Sequence, residues 1–142
     1  MQLGESPAAT HSFEEHRSEL QLRVEAPSLP ALFAEAARAL AELMHGTPAD
    51  PLAPTGEGVI IDAPDREALL VDWLNELVFR SEVGKAIFTE FDIRELTDER
   101  LVASIRGRRF ERLRNPVKAA TYHGLSVAAR EGGFTGTVIL DV

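Results

Sequence analysis

The run that organises this chain is Pro-Val-Lys-Ala-Ala-Thr-Tyr-His-Gly, residues 116–124. A proline and a glycine punctuate it, and small apolar residues lie between its polar ones. Because alternate side chains of a strand point to opposite faces, the run predicts a strand with Lys118, Ala120 and Tyr122 on one face and His123 on the other. A lysine in an otherwise buriable strand is costly unless its ammonium reaches solvent or an anion. The run therefore indicates polar chemistry beyond what packing requires.

Hydrophobic periodicity around this run predicts the remaining elements. Apolar residues recur at helical spacing in two segments, Leu32–Met44 and Leu69–Val78. Ser28 and Asp65 are expected to cap these helices, and Gly84 is expected to end the second. Apolar runs and apolar–polar alternation predict strands at residues 19–25, 59–61, 86–96, 99–107, 117–122, 125–129 and 134–142.

The pattern as a whole predicts an α+β fold, with two amphipathic helices packed on a mostly antiparallel sheet of six to seven strands. Residues 1–11 are expected to form a flexible tail, and residues 12–142 a single domain. The segment Thr47–Gly58 holds three prolines and two glycines and is expected to be a loop.

Composition narrows the class of protein. The chain has 142 residues, 44% hydrophobic, with no apolar run of the length that spans a membrane. It has no cysteine and no signal-peptide pattern, so we expect a cytoplasmic protein. The net charge of −8 disfavours non-specific binding to nucleic acid. The segment Arg106–Lys118 is nevertheless basic, with six cationic residues against Glu111. It is either a solvated surface or a patch for an anionic partner.

Carboxylates at the two ends of the sequence form the first candidate site. Glu19 and Asp141 both lie on predicted strands, and Asp141 precedes Val142 with its terminal carboxylate. If they converge, they invite a hard cation or repel one another. The alternative is two solvated strand ends. His16 and His123 are either metal ligands, acid–base groups or hydrogen-bonded structural residues, since their spacing matches no known ligand motif.

Several segments resemble the archease family. They are Val117–Gly124, Leu-Val-Asp-Trp-Leu-Asn-Glu-Leu at 70–77 and Val-Ile-Leu-Asp-Val at 138–142. A further segment, Phe-Glu-Glu-His-Arg-Ser-Glu at 13–19, is similar to the family's Phe-x-x-His-Thr-Ala-Asp motif. In that segment Glu19 replaces the aspartate, and Pro116 stands where archeases usually have a glutamate before Val-Lys. The resemblance covers most of the chain, from about residue 13 to residue 142.

The resemblance implies an archease-like fold and a non-enzymatic accessory protein of an RtcB-type RNA ligase. Such a protein promotes guanylylation of the ligase and its multiple turnover in tRNA splicing and RNA repair. The ligase is then the expected partner, with no stable direct binding of nucleic acid and no membrane. The resemblance also implies a divalent metal, expected to be calcium, held by Glu19, Asp141 and the main-chain oxygen of Val142.

The same resemblance places Lys118 in the family's functional patch, and His16 and His123 are assigned to that patch. Two other functions stay open. One is a metal-binding protein-interaction or chaperone-like module unrelated to RNA ligation. The other is a metal-dependent hydrolase using His16, His123 and Asp141, although the sequence identifies no nucleophile or paired base for it.

Overall fold

A computed structural model describes residues 8–16, 18–45, 50–113 and 117–142. Within them the order of elements is β1 (Thr10–His16), β2 (Glu19–Ala26), α1 (Leu29–His45), β3 (Ala53–Asp62), α2 (Arg66–Gly84), β4 (Ala86–Leu96), β5 (Arg100–Arg109), β6 (Ala119–Arg130) and β7 (Gly133–Asp141). The strands form two sheets, one in the order β1-β2-β7-β6 and the other in the order β3-β5-β4. Every strand pairing is antiparallel. The predicted α+β class is confirmed, with the strands divided between two sheets.

The two helices lie against both sheets and enclose the core with them. Helix α1 packs on β2 and β4, and α2 packs on β6 and β4. Trp73 of α2 is completely buried, and its indole N–H donates to the carbonyl oxygen of Phe33 at 2.9 Å. This bond satisfies the one polar atom of the largest core side chain and joins α2 to α1. None of the described helices is long and apolar enough to cross a membrane.

Local capping signals position both helices as predicted. The Ser28 hydroxyl accepts from the Ala31 N–H at 3.3 Å, and the Asp65 carboxylate accepts from the Ala68 N–H at 2.8 Å. Helix α2 ends at Gly84, and the next residue, Lys85, adopts a left-handed backbone with φ 47° and ψ 55°. The Ser28 and Asp65 side chains thus satisfy amides that a helix N-terminus otherwise leaves without a partner.

Strand β1 was not predicted from the sequence, and it includes Thr10 and His11 of the expected tail. The expected tail of residues 1–11 therefore overlaps the sheet by two residues. The reason is tertiary, since β1 pairs with β2 and the His11 ring contacts two carboxylates of α1. Residues 1–7 lie outside the described part of the chain.

The expected loop at Thr47–Gly58 is wrong from Ala53 onward, where β3 begins. Pro54 and Gly56 pair with Arg108 and Arg106 of β5 despite their turn-like composition. Strand β3 lies at the edge of its sheet, and edge strands tolerate proline and glycine because one side of their backbone needs no partner. Residues 47–49 of the expected loop lie outside the described residues.

The two strands predicted at 117–122 and 125–129 are one strand, β6. Between Thr121 and Ser126, five steps along β6 face only two steps along β7. Gly124 lies in this irregular stretch with φ +67°, a conformation that glycine adopts without strain. The prediction that Lys118, Ala120 and Tyr122 share one face of a strand is also wrong. Lys118 precedes β6, and Ala120 is buried whereas Lys118 and Tyr122 are exposed. Tyr122 and His123 thus belong to a bulged segment and not to a regular ladder.

A candidate cation site where the first and last strands meet

The two carboxylates of the predicted metal site lie directly opposite each other in the sheet. Glu19 opens β2, Asp141 closes β7, and their Cα atoms are register partners. Directly opposed residues of an antiparallel pair share one face of the sheet, with Cβ atoms about 4.5–5.5 Å apart. Both side chains are half-buried. The fold therefore brings two carboxylates from opposite ends of the chain next to each other.

Main-chain hydrogen bonds fix the strand ends around this pair. The Val142 N–H donates to the Ser18 carbonyl at 3.2 Å, and the Lys118 N–H donates to the Asp141 carbonyl at 2.8 Å. On the side of β7 away from Glu19, Asp141 is the register partner of Ala119. The start of β2, the end of β7 and the residue before β6 thus meet at one end of the sheet. Their positions are set by the backbone and do not depend on side-chain contacts.

The electrostatics of the pair favour a cation. Across the described residues, no lysine, arginine or histidine forms an ion pair with Glu19 or Asp141. Like charges directly opposite in a sheet are destabilising, and oxygen atoms are the ligands that Ca²⁺ and Mg²⁺ take. The donor set therefore fits a divalent cation. In the part of the chain that the structure describes, no three His, Cys, Asp or Glu side chains converge as metal ligands. Main-chain oxygens and solvent would have to complete the coordination.

The remaining predicted site residues lie either at this end of the sheet or in the bulged segment of β6. Lys118 is exposed and lies one residue before the partner of Asp141. His16 pairs with Glu19 in the β1–β2 ladder, and its side chain lies outside the described part of the structure. His123 is exposed and lies in the bulged segment, beyond the part of β6 that pairs with the end of β7. The structure thus gathers Glu19, Asp141, Val142 and the backbones of His16 and Lys118, but not His123.

Sequence reasoning missed the contacts that hold β6 against α2. The Asn75 amide accepts from the Ala120 N–H at 2.7 Å and donates to the Ala120 carbonyl at 3.0 Å. The Tyr122 hydroxyl donates to Asp72 at 2.6 Å, and this bond, together with burial and the Asp72 and Asp65 charges, raises the pKa of the phenol. The available signal was the pair of polar residues Asp72 and Asn75, which are three residues apart and so lie on one side of α2.

A second charged cluster lies between β1 and α1, and no pattern in the sequence indicates it. The His11 ring contacts Glu35 at 2.8 Å through Nδ1 and Glu42 at 2.5 Å through Nε2, and Arg38 donates to Glu35 at 3.0 Å. Burial lowers the pKa of His11, but the bonds to Glu35 and Glu42 and their charges outweigh it, so the pKa is raised above 6.5. Both ring nitrogens face carboxylate oxygens, and only the imidazolium form can donate to both.

Residues 11–142 match the Archease protein family. The chain belongs to the archease family. An archease of Methanopyrus kandleri is 33% identical over 136 residues, which cover 90% of this chain and 96% of that protein. An archease of Methanosarcina mazei is 28% identical over 145 residues, covering 96% of this chain and 99% of that protein. The resemblance inferred from the motifs is thereby confirmed over nearly the whole domain.

Solved structures of archease-like proteins share the fold. The solution structure of Methanobacterium thermoautotrophicum protein 1598 superposes with a TM-score of 0.69 and 26% identity, covering 93% of this chain and 98% of that chain. A Thermotoga maritima crystal structure, described as an archease and possible chaperone, gives a TM-score of 0.66 at 18% identity, covering 91% of this chain and 94% of that chain. Two helices on antiparallel sheets are therefore the archease architecture.

Proposed function

We propose that this protein is a non-enzymatic accessory factor of the cytoplasm that activates an RtcB-type RNA ligase by promoting its guanylylation and multiple turnover. The observation that carries the proposal is the opposed pair Glu19 and Asp141, with Lys118 bonded through its main chain to Asp141, in a chain of the archease family. A carboxylate pair that no cation of the described residues neutralises is costly to the fold, so a role in binding explains why the chain carries it.

Each residue has a distinct part in this proposal. Glu19, Asp141 and the main-chain oxygen of Val142 would hold a divalent cation, proposed to be calcium. When bound, the cation supplies positive charge that offsets the repulsion between the two carboxylates. With the ends of β2 and β7 fixed, the exposed Lys118 is presented beside them for an anionic group of the ligase or its nucleotide. His16 and His123 stay proposed members of this functional patch.

The replacement of aspartate by Glu19 gives a direct test of the metal part. Glutamate is one methylene longer, so its carboxylate can adopt a different distance from Asp141. We propose that Glu19→Asp keeps cation binding with an altered preference among Ca²⁺, Mg²⁺ and Mn²⁺, whereas Asp141→Asn abolishes it. Isothermal titration of each cation into the three proteins measures both effects. Equal binding by wild type and Asp141→Asn would contradict the assignment.

Guanylylation of an RtcB-type ligase from the same organism tests the function itself. Labelled GTP is supplied with the ligase and a substoichiometric amount of this protein, and covalent labelling and joined RNA are followed over time. The expected result is faster labelling and more than one ligation per ligase molecule. Lys118→Ala and Asp141→Asn should each reduce the stimulation at least tenfold. Arg94→Ala, which removes a cation from the other sheet, serves as the matched control.

The failure of this experiment is informative. If the ligase is active alone and this protein has no effect, the family gives the fold but not the activity, and a metal-binding interaction or chaperone-like module becomes the better proposal. Full stimulation by Asp141→Asn would separate the ligase function from the cation site. A gel-shift assay with the RNA substrate is expected to show no stable complex with this protein alone.

A further inference from the structure

A cavity of about 330 Å³ lies beside the C-terminal end of α2, and the proposed cation site does not account for it. Its wall is partly apolar and partly cationic, formed by Val78, Leu113, Val117, Lys85, Arg112 and Lys118. Val78 and Val117 are buried in the core, so the floor of the cavity is part of the folded framework. Small-molecule sites are concave, mostly apolar and about 300–1,000 Å³ in volume, and this cavity is at the lower end of that range.

Two of the three cationic residues are held in place by their backbones. The Lys85 N–H donates to the Ser81 carbonyl, and its own carbonyl accepts from the Phe110 N–H at 2.7 Å. Lys118 is fixed by its N–H bond to Asp141. Their side chains therefore start from defined positions at the rim of the cavity, which reduces the ordering that a ligand must impose.

The backbone of Lys85 is also strained. With φ 47°, it adopts the left-handed conformation that glycine and asparagine prefer and that other residues seldom adopt. A glycine or asparagine would end α2 at lower cost, so the lysine is not there for the turn. Strain of this kind collects where a side chain is needed for binding or chemistry.

The positive charge at the cavity is not neutralised by ion pairs within the described residues. Among the residues that the structure describes, none forms an ion pair with Lys85, Arg112 or Lys118. Glu82 is the one acidic residue in the lining, and it is exposed. The lining therefore has two more positive charges than negative ones, on a protein whose net charge is −8. This local charge matches that of a phosphate monoester, which is close to a dianion at neutral pH.

We propose that this cavity binds a small organic phosphate whose phosphate group contacts Lys85, Arg112 and Lys118 and whose apolar or aromatic body packs on Val78 and Val117. Cationic side chains form short, charge-assisted hydrogen bonds to phosphate oxygens, and the apolar floor gains from covering an aromatic ring. The inference goes beyond the proposed ligase function and does not depend on it, because Lys118 is the sole residue shared by the two.

Nuclear magnetic resonance titration of the ¹⁵N-labelled protein with phenyl phosphate tests the site. Saturable shifts are expected at the amides of Val78, Lys85, Leu113 and Val117. Inorganic phosphate and phenol, each carrying one half of the probe, should bind at least tenfold more weakly. Saturation at other residues, or inorganic phosphate binding as tightly as phenyl phosphate, would overturn the proposal.

Two variants complete the test without disturbing Lys118. Lys85→Asn suits the left-handed backbone and removes the cation, so the protein should stay folded and bind phenyl phosphate at least tenfold more weakly. Arg112→Gln should have a similar effect. Arg23→Gln removes an exposed cation of β2 that does not line the cavity and should leave the affinity unchanged. Unchanged affinity in both Lys85→Asn and Arg112→Gln would refute the site, whatever the ligase assay shows.

Discussion

Two groups of carboxylates in this molecule differ in whether cationic side chains of the described residues neutralise them. Between β1 and α1, Glu35 and Glu42 contact His11, and Arg38 adds a second cation, so the chain supplies the compensating charge itself. At the meeting of β2 and β7, Glu19 and Asp141 oppose each other without a cationic partner in the described residues. An acidic cluster that is neutralised internally stabilises the fold, whereas one that is not must draw its cation from outside. The difference separates a structural cluster from a candidate binding site.

The largest expected effect on stability is that of a divalent cation bound between Glu19 and Asp141. A ligand that binds the folded state alone stabilises it by about 2.7 kcal/mol at a free concentration 100 times its Kd. Thermal unfolding with added CaCl₂ against EDTA should show this increase in wild type. Asp141→Asn should lose it and His11→Ala should retain it. Identical melting with and without Ca²⁺, Mg²⁺ and Mn²⁺ would remove the distinction between the two groups.

Removal of the His11 side chain from the cluster between β1 and α1 should have the next largest effect on stability. His11→Ala leaves Glu35, which is 9% exposed, with Arg38 as its one cationic partner in the described part of the chain. A buried charged group that loses a hydrogen-bond partner costs about 1–3 kcal/mol of unfolding free energy. Urea unfolding measures the loss. Arg106→Ala, which breaks an exposed pair with Glu90, is the control and should change stability by no more than about 0.5 kcal/mol.

The pH dependence of stability should follow from the same histidine. Because the pKa of His11 is raised in the folded state, its contribution is complete below the unfolded value of 6.5 and is lost as the pH rises through the folded pKa. Unfolding free energies measured between about pH 6 and pH 9 should therefore decline in wild type. The decline should be shallower in His11→Ala. A parallel decline in both proteins would show that His11 is not its source.

The smallest effect should have the opposite sign. In the absence of divalent cations, Glu19→Gln relieves the repulsion from Asp141 and should stabilise the protein by about 0.2–1 kcal/mol. The equivalent change in the internally neutralised group, Glu35→Gln, should be destabilising because it weakens the bonds to His11 and Arg38. Urea unfolding of both variants in EDTA compares them directly. Destabilisation by Glu19→Gln would mean that its carboxylate has an unrecognised cationic partner.

The parts of the fold that follow from local signals could be predicted from the sequence. Asp65 as a cap, Gly84 as the end of α2 and Trp73 as a core residue depend on spacing and side-chain chemistry within one helix. Strand β3 could not be predicted, because its prolines and glycines are typical of a loop and its pairing with β5 decides its conformation.

The candidate site was only partly open to prediction. The resemblance to archeases suggested Glu19 and Asp141, but their direct opposition depends on the register of β2 with β7, which no local pattern specifies. His11 had no signal at all, since Glu35 and Glu42 are 24 and 31 residues away along the chain. The bonds between Asn75 and Ala120 depend on how α2 lies beside β6, which no pattern within the helix specifies.

The two bonds of Asn75 also affect how this protein can meet other chains. Strand β6 is the last strand of its sheet, and at Ala120 the outward main-chain donor and acceptor are both taken by one amide side chain. An intruding strand therefore finds no hydrogen-bonding template at that position. Asn75 acts as a one-residue substitute for a further strand, so it blocks edge-to-edge pairing at this position and leaves recognition there to side chains.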